Sequence, residues 1–506
     1  MFTSPPQNKA PIKIFGGIRR AAARGRGIFR TRKISGLQKS IPAPTVHFVG
    51  IGGIGISSLA RWFLTNKNKW NVSGSDLTPN RITRELKTEG ARIFVGHKKT
   101  NVPKTATLVV YSQAIGKTNP ELVETRRNNI PCFSYPEAVG ELTKSYETIA
   151  TAGAHGKSTT TALIGLILKN ANLDPTIIVG TELKELGGKN FRLGKSKYLV
   201  LEADEWRAAF LNYSPTISVI TNIDREHLDF YKNLETIKKT FLAFMARTKS
   251  GGNLILNKDN KILALLAQRI KKNARGKKFR IAWYSIKNPI AKQIRKIIKI
   301  PGDHNVSNAV GAYTAGKLLG IPSSKILHTI SAYTGSWRRF EYRGNFHPQH
   351  STLHIPTYDD YAHHPTEIKA TLQGFKEKFP ERNIICVFQP HQGKRLRSLF
   401  KEFVRAFDAA DTIVITPIYK VPGRDEKIAK QFSPETLVRT MQKKYPRKPI
   451  FYLSDFKNLK NALQTLVTEP YVCGLPKDST IPKIKPAVIV MMGAGDIAGH
   501  TNSLIK

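Results

Sequence analysis

From Thr45 onward, short β-branched runs alternate with helical stretches, and this rhythm restricts the chain to α/β domains built on mainly parallel sheets. The clearest strands fall at residues 46–49, 107–111, 148–151, 198–201, 217–221, 383–388, 412–416 and 487–491. No repeat of fixed period runs through them, which excludes a solenoid. A chain of 506 residues is too long for one ordinary core, and its length suggests about three domains. With 40% hydrophobic and 23% charged residues, the composition is that of a globular protein. No apolar run reaches the roughly 18–20 residues a membrane helix needs, so membrane insertion is not expected.

Residues 1–42 read differently. Their first forty positions carry Arg19, Arg20, Arg24, Arg26, Arg30 and Arg32 but no Asp or Glu. Such a stretch cannot build a core and is expected to be a disordered basic extension. The same composition fits an organellar transit peptide, the alternative to a cytoplasmic location. Cys132, Cys386 and Cys473 lie far apart with no metal-ligand spacing, and a reducing compartment is the simpler expectation. The formal charge of +45 raises a nucleic-acid partner. Lys and Arg are, however, spread along the whole chain without an aromatic-interleaved basic motif, and specific nucleic-acid binding is not expected.

Two strands run into glycine-rich turns. Residues 46–49 lead into Gly50-Ile51-Gly52-Gly53-Ile54-Gly55 and then a helical stretch at 57–64. Glycines in this pattern let the backbone turn tightly and approach a diphosphate, which a helix N-terminus stabilises. A second strand-like piece ends in Ser73-Gly74-Ser75-Asp76, where Asp76 is placed to accept from a ribose hydroxyl. Alone, these features suggest a dinucleotide enzyme, with tight turn packing as the alternative. Residues 148–151 lead into Ala152-Gly153-Ala154-His155-Gly156-Lys157-Ser158-Thr159-Thr160-Thr161 and an amphipathic helix expected at 162–169. Backbone N–H groups of such a loop cradle phosphates, its lysine reaches the β and γ groups, and its serine ligates Mg²⁺. ATP binding follows, although Thr151 stands where the commonest form of the loop has Gly.

Further polar groups gather at strand ends, where parallel sheets present ligand contacts. Glu202-Ala203-Asp204-Glu205 follows one strand, and Thr221-Asn222-Ile223-Asp224-Arg225-Glu226-His227-Leu228-Asp229 follows the next. Glu202 and His227 are candidates to converge on a metal; a solvated strand exit and a structural histidine are the alternatives. Gly302-Asp303-His304-Asn305 through Asn308 opens a helix, with a simple cap or a nucleoside contact both open. Trp337-Arg338-Arg339-Phe340-Glu341 and Asp359-Asp360-Tyr361-Ala362-His363-His364-Pro365-Thr366-Glu367 flank an expected short hairpin. Paired arginines suit phosphate or carboxylate, whereas the histidine pair lacks the further ligands zinc needs. Gln389-Pro390-His391-Gln392-Gly393-Lys394-Arg395 follows another strand, and Gly493-Ala494-Gly495-Asp496-Ile497 the last.

Taken in order, these segments resemble the Mur ligases from about Thr45 to the C-terminus, and among them the members that load L-alanine. The blocks at 50–55, 73–76, 153–161, 202–205, 221–229, 338–340, 359–367, 389–391 and 493–497 carry the resemblance. It implies a Rossmann-like UDP-binding domain at 43–145, a central ATPase at 146–334 and a Rossmann-like ligase domain at 335–506. It also implies an ATP- and Mg²⁺-dependent ligase of peptidoglycan precursor synthesis, joining L-alanine to UDP-N-acetylmuramate through an acyl phosphate. Under it Gly50, Gly52, Gly53, Ile54, Gly55 and Asp76 cradle the UDP group, and NAD is not expected. Gly153, Ala154, His155, Gly156, Lys157, Ser158 and Thr159 hold the ATP phosphates, with Asn305 and Asn308 at the nucleoside. Ser158, Glu202 and His227 hold Mg²⁺. Arg339 and Asp360 reach the ATP site, His391 and Arg395 face the amino acid or acyl group, and His363 lies in the active site.

The sequence departs from the family pattern in two places. Trp206 and Arg207 stand where a small residue or Tyr and then Asp are usual, and Gln392-Gly393 replace an Arg-Phe pair. Both departures touch the segments assigned to the acceptor. A ligase that attaches a recycled peptide to the same sugar is the nearest alternative, and a non-catalytic nucleotide or nucleic-acid binder the next.

Overall fold

The computed structural model describes residues 43–65, 70–273, 276, 278–419, 429–468 and 486–505. The basic extension expected at 1–42 and Cys473 lie outside them. Within the described residues Cys132 is half-buried and Cys386 buried, both as free thiols. No helix among them is long and apolar enough to cross a membrane.

The protein is α/β, with three domains each built on one sheet. The described residues divide into two compact units: those within 43–224, 235–285 and 311–329 form one, and those within 225–234, 286–310 and 330–505 the other. In the first unit, β1 (Thr45–Val49), β2 (Asn71–Asp76), β3 (Arg92–Val95), β4 (Ala106–Tyr111) and β5 (Cys132–Ser134) form an all-parallel sheet ordered β3-β2-β1-β4-β5. This is the Rossmann order, whose reversal between β1 and β4 opens a crevice at the strand ends. Strand β1 is buried along its whole length, as a central parallel strand with both faces covered must be.

The second sheet of this unit is ordered β12-β11-β10-β6-β9-β7-β8. Its strands are β6 (Glu147–Ala152), β7 (Thr176–Leu183), β8 (Lys189–Arg192), β9 (Tyr198–Glu202), β10 (Ile217–Ile220), β11 (Asn253–Asn257) and β12 (Arg280–Tyr284). Only β8 runs antiparallel, paired with β7. The helix Lys157–Asn170 is longer than the sequence predicts and is not amphipathic, because Ser158 through Leu168 are all buried. Sheet strands cover one side of it, and on the other a Cβ at Gly316 would stand 3.2 Å from Ile167 Cγ2. A helix covered all round carries no polar face.

The two domains of this unit are clasped together. Helix Ile54–Leu64 of the first packs on β7 and β8 of the second, so the antiparallel edge strand is covered. Arg61, only 4% exposed, donates to Asn190 Oδ1 at 2.8 Å and pairs with Glu85 and Glu89, and Asn190 Nδ2 donates back to the Ile54 carbonyl. Lys189 reaches Glu89 at 2.9 Å, and Arg81 pairs with Glu182.

In the second unit, β13 (Glu341–Phe346), β14 (Ile355–Asp360), β15 (Asn383–Phe388), β16 (Thr412–Ile415), β17 (Ile450–Tyr452) and β18 (Ala487–Met492) form a sheet ordered β13-β14-β18-β15-β16-β17. The expected hairpin is the antiparallel β13–β14 pair, and the other pairings are parallel. One core beneath this sheet gathers Phe346, Val387, Val414, Leu463, Ile489 and Ile497. The chain order places Asp360, Phe388 and Met492 at neighbouring carboxyl ends, which delivers their following loops to one edge.

Candidate active site

Both predicted glycine-rich turns join a strand to a helix. At the first, Gly50 has φ +79°, and the Gly50 and Ile51 N–H groups donate to the Ser75 carbonyl at 2.8 and 3.0 Å. Gly52 N–H donates to Asp76 Oδ2 at 2.8 Å, so this carboxylate shapes the turn itself, a task the ribose expectation did not include. A Cβ on Gly52 would lie 2.8 Å from the same oxygen, which explains the glycine. Gly53 is the extended N-cap of helix Ile54–Leu64, and no side chain caps that helix. The donor cluster is therefore the helix start at Ile54 and Gly55, where the dipole favours an anion.

Ser75 is held in turn from beneath. Its Oγ donates to buried Glu121 at 2.7 Å; the same carboxylate bonds His47 Nε2 at 2.8 Å, Asn101 Nδ2 at 2.9 Å and Lys98 N at 3.2 Å. Burial would push the Glu121 carboxyl up, yet these donors outweigh it and hold the group below the ordinary range.

The second turn follows β6. Gly153 has φ +144°, and a Cβ there would stand 2.0 Å from Thr221 Oγ1. Asn222 fixes the loop: its carbonyl accepts from Ala154 N at 3.2 Å, its Oδ1 from His155 N at 2.9 Å, and its Nδ2 donates to the His155 carbonyl. His155 Nε2 lies 3.2 Å from Asp224 Oδ2. Gly156, at φ +80°, is the N-cap of helix Lys157–Asn170 and no side chain caps it, which leaves the first helical turn at Lys157, Ser158 and Thr159 to offer donors.

Lys157 folds back over this loop. Its Nζ donates to the Gly153 carbonyl at 2.7 Å and pairs with Glu205 at 2.9 Å. Burial alone would push the ammonium down, but Glu205, Asp204 and Glu202 outweigh it and hold the charge above the ordinary lysine range. Ser158 Oγ donates to Glu202 Oε1 at 3.0 Å, and Gly180 N to Glu202 Oε2 at 2.6 Å. Burial raises the Glu202 carboxyl despite Lys157 and these donors. The departure at Trp206 and Arg207 has a structural form: Arg207 and Ala208 both adopt left-handed backbone, at φ 52° and 57°. Arg207 stacks on Trp206 and donates to the Gln113 carbonyl at 3.1 Å.

The remaining predicted residues belong to the second unit. His227, at φ +53°, precedes a short helix. Helix Asp303–Leu318 begins at Asp303, which pairs with Arg295, while Asn305 Nδ2 donates to the Pro301 carbonyl at 2.8 Å; Asn305 and Asn308 are both buried. Asp360 is buried, accepts from Phe340 N and Ala362 N at 2.9 Å each, and is pushed up by burial. Arg339 lies over the Tyr361 ring and 3.8 Å from Glu367. His363 Nδ1 bonds the Tyr361 carbonyl at 2.9 Å, and burial pushes its imidazole down to about 4. Its ring meets His391 edge-on at 5.9 Å, and His391 stacks on Tyr419. His364 caps the helix Pro365–Lys378, so the adjacent histidines have separate tasks.

Three family models match the chain in order: the Mur ligase family catalytic domain over residues 45–147, the Mur ligase middle domain over 151–316, and the Mur ligase glutamate ligase domain over 338–475. The chain belongs to the Mur ligase family. Among curated relatives, the UDP-N-acetylmuramate–L-alanine ligase of Aquifex aeolicus is 39% identical over 395 residues, covering 74% of this chain and 83% of its own. That of Clostridium kluyveri is 35% identical over 468 residues, covering 89% and 96%. The solved UDP-N-acetylmuramate-alanine ligase of Thermotoga maritima superposes with a TM-score of 0.69 at 25% identity, covering 91% of this chain and 98% of its own.

Three residues of this Mur ligase site escaped the sequence reading as functional candidates. Glu205, which clasps Lys157, sits in an acidic run that also fits a solvated strand exit, yet it is 2% exposed. Asn222 and Glu121 fix the two turns from neighbouring elements. The positions of Glu205 and Asn222 just after strand carboxyl ends offered a signal, and Glu121 offered none.

Proposed function

We propose that the chain is an ATP- and Mg²⁺-dependent ligase that forms an amide between the carboxylate of UDP-N-acetylmuramate and the amine of L-alanine, in peptidoglycan precursor synthesis. The observation that carries this reading is the phosphate loop with Lys157 clasped by Glu205 and Ser158 facing Glu202, in a chain 39% identical to an L-alanine-adding relative.

The chemistry has two steps. A carboxylate oxygen of the sugar attacks the γ-phosphorus of ATP, the bond to the bridging oxygen breaks, and ADP leaves. The amine of L-alanine then attacks the acyl carbon of the acyl phosphate, inorganic phosphate leaves, and the nitrogen loses a proton. Phosphoryl transfer of this kind depends on positioning and charge neutralisation. Lys157 stabilises the transferring group, the loop from Gly153 to Thr159 cradles the phosphates, and Asn305 and Asn308 contact the nucleoside. Gly50 to Gly55 and Asp76 position the UDP group.

Ser158 Oγ and Glu202 Oε1, 3.0 Å apart, are hard oxygen donors that suit a divalent cation. Burial has raised the Glu202 carboxyl, and a cation there relieves that cost. With His227 they would hold Mg²⁺, which when bound neutralises phosphate charge. Arg339 and Asp360 complete the ATP site, and His363, His391 and Arg395 face the acceptor and acyl group.

Mass-spectrometric detection of the UDP-muramoyl product across a panel of acceptors tests the reading. Product with L-alanine is expected. Product with a tripeptide but no single amino acid would instead assign a peptide-recycling ligase, and phosphate release independent of sugar and amine would leave a plain ATPase.

A further inference from the structure

One cavity of the second unit, of about 310 Å³, is lined by Arg225, Glu226, His227, Gln392, Lys394 and Arg395 among others. Cations dominate its wall, and Glu226 is the acidic exception. This carboxylate is only 6% exposed and bonds Arg395 Nη2 through Oε1. Its other oxygen lies 3.8 Å from His364 Nε2. Arg395, whose side chain is 8% exposed, spends Nη1 on His391, reaching Nδ1 at 3.3 Å and the carbonyl at 3.2 Å.

A guanidinium has donors only, so His391 Nδ1 must accept, and the imidazole proton belongs on Nε2. Arg395 therefore sets the tautomer of His391, while Glu226 fixes the plane of Arg395. The Tyr419 ring, stacked on His391 at 5.5 Å, holds the imidazole's orientation. A buried guanidinium that lost its carboxylate would seek another partner and leave this arrangement.

We propose that Glu226 is a positioning residue of the ligase reaction: by fixing Arg395, and through it the Nε2-protonated tautomer of His391, it aims both side chains' donors at the carboxylate of the acceptor amino acid. This rests on the reading of His391 and Arg395 as acceptor-facing. Glu226 itself touches no reacting atom. It adds a determinant next to Gln392 and Gly393, where the chain departs from its family's pattern.

The test uses the full chain with ATP, UDP-N-acetylmuramate and L-alanine. Glu226→Gln is expected to raise the KM for L-alanine by about 10- to 100-fold, with the KM for ATP within about twofold of the parent. Glu226→Asp, which keeps a carboxylate for Arg395, is expected to recover most of that loss. Arg395→Gln combined with Glu226→Gln is expected to be no worse than Arg395→Gln alone, because the two act in series. Nitrogen-15 imidazole spectra should show His391 protonated on Nε2 in the parent and shifted toward Nδ1 in Glu226→Gln.

An unchanged KM for L-alanine in Glu226→Gln, or additive losses in the double variant, would overturn the proposal while leaving the ligase assignment standing. If Glu226→Gln does not fold, Arg395→Gln decides: a His391 tautomer and an L-alanine KM that stay at the parent's in that variant sink the proposal. A parent enzyme that makes no UDP-muramoyl-alanine overturns the assignment and this proposal together.

Discussion

The two glycine-rich turns of the first unit share one construction and differ in what they place inside it. Each joins a parallel strand to a helix with no side-chain cap. In each, the loop's early N–H groups are consumed by the neighbouring strand's end: Ser75 and Asp76 at the first turn, Asn222 at the second. What remains to offer an anion is the helix start. Only the second turn adds a buried ammonium held by carboxylates and a hydroxyl facing Glu202. Under the proposed function, this difference is what would separate holding a diphosphate from transferring a phosphoryl group: the shared scaffold binds, and the added charges act on the bound group.

The largest way to break this contrast is Lys157→Ala. It is expected to cut product formation by about 10³-fold or more, while calorimetric affinity for UDP-N-acetylmuramate stays the same. Next come the glycines. Gly153→Ala forces a Cβ onto Thr221 at φ +144° and is expected to lower kcat by roughly 10²-fold. The three atoms nearest a Cβ at Gly52 belong to the side chains of Asn80, Asp76 and Thr83, so for Gly52→Ala a milder rise of about tenfold in the KM for the UDP-sugar is expected, with kcat preserved.

The supports of the two turns also differ, and pH exposes this. The first rests on Glu121, a buried carboxylate held below its ordinary pKa range, whereas the second rests on the uncharged amide of Asn222. A depressed carboxyl contributes stability that is present above its unfolded value of about 4.3 and is lost as pH falls through the folded value. Acid unfolding followed by hydrogen exchange should therefore loosen β1 and β2 as pH drops below about 4, and Glu121→Gln should flatten that dependence while lowering stability at neutral pH. Loss of protection around β6 first would contradict the assignment. The smallest effect is expected from Asp76→Asn, which keeps an acceptor for Gly52 N–H and should change the KM for the UDP-sugar by no more than about threefold.

The fold was largely readable because buried parallel strands are written as continuous β-branched runs: residues 46–49, 198–201 and 383–388 all lie in strands within one residue of the expected bounds. Shorter edge strands such as β8 and β17 carry no such run and were missed. The second turn was legible because strand, glycines, lysine and serine stand together in sequence. Glu205 and Glu121 were not, since their importance comes from burial beside partners 48 and 46 positions away, Lys157 and Ser75. The helix at 157–170 was expected to begin only at 162 and to show a polar face, because Thr159, Thr160 and Thr161 read as loop, whereas they are buried in its first turns with the residues that follow.

The Arg61–Asn190 clasp carries a last consequence. By tying the helix that starts at the first turn to the sheet that carries the second, it fixes the separation of the two turns as a caliper does. Under the proposed function a sugar nucleotide anchored at one jaw delivers its carboxylate to the other, and a donor with a shortened or lengthened acid arm is expected to be refused by reach alone.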